Sequence, residues 1–569
     1  MGTPGLEIVR FRKRYYIRYH RLDSYFDGLG AKIVASIPSD PKEYQKWLES
    51  MRTEYAAREN ALKSYVYEIR YGFKPDYSRF REFWTLPSEF PRLGNRGLYF
   101  YIINLDDEIL TMNHSIHWKL GNIPRQDDLW LRAIVRSIYQ CWNTISLDVC
   151  PEEHMASPAL VYPKPNRTIE YNFRVVTPRT DLVEARKAFL TLTLASMLIE
   201  YEDDIIRFGM EWSPDSFPFR ELAFALVSIA SGQAKFHSFP AQYCNPRTCE
   251  LWNCNDNHLP KLPGWLDKEW AGDSAPLLVF GSPSHRPGEP PGASPTETMY
   301  WLEDVLVSLV LVIDGEAVTK AVTWGIEQGR ANFQIVVLSL FKVTFAEVSF
   351  GDTVEPFVEV SKAIDLSPLR SNYCVSTHPR MRPELKPGMK IRRQRGKFIS
   401  RKRFIGNRIE TRPKLRSQFP GVAALVNFFE VAASRRAASR SAGILPPELY
   451  GMIMDFVNYD TWKTCLLAST VVRSWCLNKY RLDDRMRIVA GPFARLQKYN
   501  DQHLVFNFEN MQTGEILPMI QDPYCISTKE CNWMPVIGSD RRVLMLDIDI
   551  QFQPAGDESM EANSDDECA

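Results

Sequence analysis

Residues 444–480 constrain the fold of this 569-residue chain more than any other stretch, because their apolar positions recur at helical spacing. Pro446, Pro447 and Glu448 are typical of a helix start, since proline fits the first helical turn and a carboxylate interacts favourably with the positive end of the helix dipole. The apolar positions that share one face of this predicted helix are Leu449, Met452, Ile453 and Phe456.

Two more short helices are predicted after the first. Asp460 follows an interruption of the helical period and is predicted to cap the second helix. A third apolar set contains Val471, Val472, Trp475 and Leu477. Three helices of this length bury too little surface to be stable alone. We therefore expect an apolar face that packs on a partner protein or on a neighbouring domain.

The order of residues across the three helices resembles an F-box. The usual Leu-Pro opening of that family is matched by Leu445 and Pro446, and its Val-Cys-Arg-x-Trp ending by residues 471–475, with Val472 in place of the frequent cysteine. Both are small buried apolar residues, so this exchange hardly weakens the match. Further matching positions between the two ends are Glu448, Leu449, Ile453, Phe456, Val457, Leu466 and Leu467.

The resemblance implies that residues 440–482 form a three-helix module that binds the Skp-type adaptor of a cullin-RING ubiquitin ligase and presents a captured protein for ubiquitination. A protein of this kind has no active site of its own and needs no cofactor. The residues expected to form the apolar contact with the adaptor are Leu445, Pro446, Leu449, Ile453, Phe456, Leu467, Val471 and Trp475.

Two alternatives to this interpretation stay open. In one, the three helices are ordinary core helices of a larger domain, which is where most amphipathic helices belong. In the other, the N-terminal region is an enzyme or a metal-binding protein of unknown reaction. The sequence offers neither a G-x-S-x-G nucleophile elbow nor an HExxH pair to support an enzyme.

Length and charge bound what the rest of the chain can be. A chain of 569 residues exceeds what one hydrophobic core supports, so two to four domains are expected. Lys plus Arg and Asp plus Glu number 69 each, which removes any global charge argument for nucleic acid or a membrane surface as a partner.

The cysteines and the apolar runs of the sequence predict where in the cell the protein is located. The longest apolar runs, at 306–313 and 333–341, are much shorter than the ~20 residues that span a bilayer. The first residues lack the layout of a secretory signal, and 11 scattered cysteines suit reduced thiols better than a disulfide framework. We therefore expect no membrane contact and a cytoplasmic or nuclear location.

Residues 1–375 are predicted to form a large mixed α+β domain. Alternating runs at the N-terminus predict a hairpin, and a helical pattern follows from Lys42 to about Tyr67. Asp127 is predicted to cap a helix, and two more helices are expected within residues 180–232. The Pro- and Gly-rich residues 282–295 predict a loop or a domain boundary.

A group of cysteines and histidines in this domain is the best candidate for a metal site. Zinc is commonly held by four Cys or His ligands, but usually in two tight pairs with a longer stretch between them. Here three cysteines are evenly spaced, so unligated thiols in a loop are the main alternative. The candidate ligands are Cys244, Cys249, Cys254, His237 and His258.

The predicted C-terminal half contains a linker, the three helices and a small β-rich part. Residues 376–418 are rich in Lys and Arg and predict a flexible linker, with nuclear import or nonspecific attraction to nucleic acid as alternative roles. Residues 483–553 contain several strand-like runs, and residues 554–569 form an acidic tail that is predicted to be disordered. No repeat array follows the helices, so we expect residues 1 to about 370 to capture the substrate.

Overall fold

The computed structural model has both helices and mixed β-sheets, so the predicted α+β class is confirmed. The residues that it describes are 2–73, 77–84, 86–87, 99–113, 116–136, 143–146, 149–156, 168–200, 205, 213–232, 234–240, 294–350, 355–367, 412–439, 445–482, 484, 486–488, 507–514, 516–518, 520–521, 533–534, 536–537 and 542–547. The loop predicted at 282–295 lies outside these residues except for its last two positions, and the predicted acidic tail lies wholly outside them.

A five-stranded mixed sheet contains the N-terminal hairpin. The hairpin of β1 and β2 is antiparallel, as the sequence predicts, and β3 pairs with β1 in parallel, so that the strand order is β2-β1-β3-β4-β5. The strands are β1 (Gly5–Phe11), β2 (Arg14–His20), β3 (Tyr99–Asn104), β4 (Ile109–Met112) and β5 (Ile116–Lys119). Among the residues described before β3, the α-helices are α1 (Ala31–Ser36) and the long α2 (Pro41–Arg70).

The prediction of a helix that is capped by Asp127 is wrong. Asp127 and Asp128 both have left-handed backbone angles, with φ of 50° and 52°, so no regular helix runs through them. The helix α3 (Leu129–Arg132) is only one turn long, and β6 (Ile134–Arg136) then pairs with β7 (Asn143–Ile145). The β-branched pair Ile134 and Val135 suits a strand better than a helix.

A seven-stranded mixed sheet forms the second large layer, with the order β10-β11-β12-β13-β14-β8 and β15 paired to β13. Its strands are β8 (Asn172–Val176), β10 (Met299–Leu302), β11 (Val305–Leu309), β12 (Phe333–Leu338), β13 (Lys342–Phe350), β14 (Pro356–Ser361) and β15 (Ile364–Asp365). The helix between β11 and β12 is α6 (Gly315–Glu327), whose N-cap Asp314 accepts a hydrogen bond from the Ala317 amide.

One layer of helices separates the two sheets. It consists of α4 (Ala185–Glu200), α5 (Phe217–Ala230), α7 (Arg412–Gln418) and α8 (Pro420–Ala438). Alternate residues of β1 and β12, such as Ile8 and Val336, face this layer, whereas their neighbours Val9 and Val337 face cores on the outer sides of the sheets. The two helices predicted within 180–232 are therefore confirmed as core helices.

The helix α8 is central to this layer and is not among the helices predicted from the sequence. Gly421 lets its first turn approach β15, since a Cβ there would lie 2.7 Å from the Asp365 carbonyl oxygen. At its other end, Arg435 and Arg436 form ion pairs with Glu347 and Glu303 of the seven-stranded sheet. The preceding helix α7 occupies the last seven residues of the predicted 376–418 linker, and its Leu415 is fully buried.

The three predicted helices of the 444–480 stretch are present as α9 (Pro447–Phe456), α10 (Tyr459–Cys465) and α11 (Thr470–Asn478). The second helix is capped by Asn458, whose side chain accepts from the Thr461 amide, so the prediction of Asp460 as the cap is wrong. Asn458 is in the extended conformation that an N-cap requires, whereas Asp460 is already inside the helix.

Short strands make up the described C-terminal residues: β16 (Met486–Ile488), β17 (Asn507–Asn510), β18 (Ile516–Pro518), β19 (Ile520–Gln521), β20 (Trp533–Met534), β21 (Val536–Ile537) and β22 (Arg542–Asp547). The strand β22 pairs antiparallel with β9 (Lys235–Pro240), which brings the C-terminal strands back to the middle of the chain. Within the described parts of the chain, every helix is too short or too polar to cross a bilayer.

Candidate functional site

The helix α9 and Leu445 just before it expose an apolar face. Its members, with the exposed fraction of each residue, are Leu445 (41%), Leu449 (42%), Met452 (61%), Ile453 (42%) and Phe456 (88%). We call these five residues the exposed apolar face. Pro446, at the N-cap of the helix, is also exposed. Single exposed apolar residues are ordinary, but several on one helix face mark an interaction surface.

The opposite side of α9 packs against the rest of the chain. Met454 is buried, and its sulfur lies 3.6 Å from the Cys476 sulfur of α11. Gly451 faces the ring of Trp475 so closely that a Cβ on it would lie 3.0 Å from the ring. This close approach explains why a glycine stands in the middle of α9, where it costs about 1 kcal/mol of helix propensity.

Both ends of α9 are fixed by hydrogen bonds. The Leu445 amide donates to the Tyr450 hydroxyl over 3.2 Å, which holds the start of the exposed apolar face near the helix. At the other end, the buried guanidinium of Arg481 donates to the carbonyl oxygens of Met454 and Val457. These carbonyls belong to the last helical turn and lack partners inside the helix, so Arg481 acts as a C-terminal cap.

A charged flank borders the exposed apolar face. Asp455 accepts hydrogen bonds from the Lys479 ammonium at 2.9 and 3.1 Å, and the Arg487 guanidinium lies 3.8 Å away. Glu448 is exposed on the same helix. A polar border around an apolar centre is the usual anatomy of a protein interface.

The remaining residues of the predicted contact set lie on or beside α11. Leu467, Val471 and Trp475 are half-buried, whereas Leu445, Pro446, Leu449, Ile453 and Phe456 are exposed. Leu467 lines a cleft between α11 and α8, and Trp475 packs on Gly451. The structure thus groups Leu449, Ile453 and Phe456 on one face of α9, with Leu445 and Pro446 directly before the helix. Leu467 and Trp475 have contacts within the chain.

An ionic cluster joins the three helices to the large helical layer. The Arg473 guanidinium on α11 donates to Glu430 of α8 over 2.8 Å and to the Leu466 carbonyl over 2.9 Å. Arg186 of α4 donates to the second Glu430 oxygen and lies over the ring of Tyr480. Burial works against ionisation of Glu430, but the two guanidiniums outweigh it and hold the pKa of this carboxyl below its usual value.

The helices α9 to α11 also share a hydrophobic core with that layer. The buried residues that they contribute include Tyr459, Trp462, Leu466, Val472 and Cys476, in the same cluster as Phe429 of α8 and Leu194 of α4. The sequence predicts that these helices pack on another apolar surface, and α4 and α8 provide one. The exposed apolar face of α9 does not take part in this contact.

The proposed metal ligands cannot be assembled from the described residues. Cys244, Cys249, Cys254 and His258 lie outside the described residues, and His237 is described only as a backbone position in β9. Within the described ranges, no group of three or more His, Cys, Asp or Glu side chains is arranged to hold a metal ion.

The thiols of the described cysteines are held in their neutral form. Burial raises the pKa of the Cys476 thiol to about 12, and burial also raises the pKa values of Cys150 and Cys465. A thiol is nucleophilic only as the thiolate, so these three side chains are suited to packing.

Sequence reasoning missed several residues that shape this site. Met452 was placed on the apolar face of the helix but left out of the predicted contact set, although it is among its most exposed members. Glu430 and Arg481, which anchor the helices, lie before and after the stretch that carried the motif. The apolar run after Pro420 was the available signal for α8.

Comparison of the chain with protein-family models, with curated proteins and with solved structures found no match in any of the three.

The contact between Gly451 and Trp475 gives the first testable prediction. We expect Gly451→Val to lower the free energy of unfolding by about 1–3 kcal/mol, because the added methyl groups must displace the Trp475 ring. Urea denaturation measures the change. As a matched control, Ser474→Val places the same side chain at an exposed position of α11. Equal stability of the Gly451→Val variant and the native chain would contradict this packing.

Proposed function

We propose that this protein is a non-catalytic adaptor that binds a Skp-type protein through α9 to α11 and recruits a protein substrate to a cullin-RING ubiquitin ligase. In this proposal the three helices are an F-box-like module, and the preceding mixed sheets and helices capture the substrate. The protein would act in the cytoplasm, the nucleus or both.

The observation that carries the proposal is the exposed apolar face of α9. An amphipathic helix in the core of a domain hides its apolar residues, but α9 exposes four of them, and Leu445 just before the helix is exposed as well. Phe456 is 88% exposed. Four of the five, Leu445, Leu449, Ile453 and Phe456, are positions where the sequence matches the F-box pattern. Removing such a face from water contributes roughly 25 cal/mol per Å² of apolar surface, which favours association with an apolar partner.

The half-buried members of the expected contact set fit a supporting role in the same proposal. Trp475 packs on Gly451 and so fixes the distance between α9 and α11. Arg473, which belongs to the matching Val-Val-Arg-Ser-Trp ending, faces inward to Glu430. These two residues hold the module in shape, and the α9 residues supply most of the contact area for the adaptor.

The anchoring of the module bears on how a substrate would be presented. The cluster of Arg186, Glu430 and Arg473 and the shared hydrophobic core connect the module to the helical layer. A protein captured by the large domain would therefore be held at a set orientation to the bound adaptor.

The test of the proposal is co-purification with a Skp-type protein. We expect Leu445→Ala combined with Pro446→Ala to abolish co-purification, because the change removes the exposed start of the apolar face. Thermal unfolding of the double variant should match that of the native chain, since neither side chain is buried. Retained binding, or absence of binding by the native chain, would overturn the assignment.

A further inference from the structure

A small open cleft of about 30 Å³ lies where α10 and α11 meet α8 and the end of α5. The polar and charged groups among the residues that line it are Arg186, Ser231, Glu303, Lys463, Arg473 and Tyr480. The cleft is separate from the exposed apolar face of α9, none of whose residues line it. Its chemistry is polar, in contrast to that face.

The charges around this cleft are unequal. Three cationic residues, Arg186, Lys463 and Arg473, line it together with one carboxylate, Glu303. That carboxylate forms an ion pair with Arg436. Behind the lining, Arg186 and Arg473 share the carboxylate of Glu430, and Arg186 also lies 3.6 Å from Glu184, which pairs with Lys187 at 3.0 Å. The Glu430 carboxylate is thus shared by two arginines, and Glu303 is paired with Arg436.

The guanidiniums also retain unused donors. The Nε atoms of Arg186 and Arg473 are both buried and have no hydrogen-bond acceptor. A buried donor without an acceptor costs about 1–3 kcal/mol, so the guanidiniums of Arg186 and Arg473 are not fully satisfied within the chain. Arginine presents its donors in a planar fork that matches the oxygens of phosphate.

Tyr480 adds a neutral donor beside these cations. Burial raises the pKa of its hydroxyl, which therefore stays protonated and does not add a negative charge. Gly232, with φ of +77°, leaves room beside this hydroxyl, because a Cβ on Gly232 would lie 3.5 Å from it.

From these observations we propose that the cleft between α8 and the helices α10 and α11 binds the phosphate group of a small molecule, with Arg186, Lys463 and Arg473 as its cationic partners. This site does not depend on the proposed adaptor function. Its ligand would contact the central layer and the three helices at once, and would therefore strengthen the joint between them.

The test uses inorganic phosphate as the probe and the full chain as the receptor. We expect saturable binding by isothermal titration calorimetry, and a rise in melting temperature with phosphate over chloride at equal ionic strength. Lys463→Met should weaken the affinity about tenfold, since it removes one charge-assisted contact. Lys463 is chosen because it is the least buried of the three cations.

The matched control is Lys320→Met, which removes an exposed lysine of α6 on the far side of the seven-stranded sheet. Phosphate affinity should not change in this variant. The proposal fails if the native chain shows no saturable binding at constant ionic strength, or if both lysine variants lose affinity equally. Unfolding in urea without phosphate checks that the Lys463→Met chain is folded, and a folded variant with native affinity also overturns the site.

Discussion

Replacing Glu430 by alanine is expected to lower the free energy of unfolding by about 3–5 kcal/mol, because the change leaves Arg186 and Arg473 buried without their shared carboxylate. The loss should appear as a lower midpoint in urea denaturation. Glu49→Ala, at an exposed position of α2, should change stability by no more than about 0.5 kcal/mol. The double change Glu430→Ala with Arg473→Met should recover part of the loss, since one uncompensated charge is then gone.

The same carboxylate predicts a pH dependence. The folded-state pKa of Glu430 lies below its ordinary value of 4.5. The ionised form of this side chain is therefore more favourable in the folded chain than in the unfolded chain. This contribution to stability is fully present above the unfolded pKa and is lost as the pH falls through the lower folded pKa. The difference in stability between the native chain and Glu430→Gln should therefore shrink on acidification below about pH 4.5. A difference that stays constant down to the acid transition would contradict the ionic role of Glu430.

Changing Phe456 to aspartate should abolish binding of a Skp-type adaptor while leaving the fold intact. Phe456 is 88% exposed, so it contributes little to the core and its replacement should barely alter the melting temperature. In the bound state the aspartate would be buried in an apolar contact, and a lost aromatic anchor alone typically costs 2 kcal/mol or more, or roughly 30-fold in affinity. Quantitative pull-down or surface plasmon resonance with purified adaptor measures the effect.

A matched control separates loss of the contact from a general effect of added charge. Leu22→Asp introduces the same side chain at an exposed leucine in the loop after β2, far along the chain from α9. Adaptor binding should survive this change. If Leu22→Asp and Phe456→Asp weakened binding alike, α9 would not be the binding surface. If Phe456→Asp bound normally, the proposed contact would be wrong.

Local patterns predicted the parts of the fold that local physics dictates. The hairpin of β1 and β2, the long helix α2 and the helices α9 to α11 each have a clear period and a recognisable start. The grouping of the apolar residues of α9 on one face followed from the same reasoning, because residues three and four apart share a helix face wherever the helix lies.

Ion pairs and strand pairs between residues that are distant in the sequence could not be predicted from local patterns. Nothing in the residues around Arg473 indicates that its carboxylate partner is 43 positions earlier, or that Arg186 approaches the same group from 244 positions away. The helix predicted from Asp127 failed because two consecutive left-handed residues and a strand partner at Asn143–Ile145 overrode the apolar period. The period alone could not tell a core face from an exposed one, and tertiary packing decides that difference.

The pairing of β22 with β9 has a consequence for how the chain is made. Residue 240 at the end of β9 leaves the ribosome 302 residues before Arg542, its partner in the register. At about 5–20 residues per second, β9 waits roughly 15–60 s for β22, the strand with which it pairs. A strand with an open edge is prone to pair with other chains during such an interval. We therefore expect this protein to fold with less aggregation when nascent chains are kept apart until β22 has been synthesised.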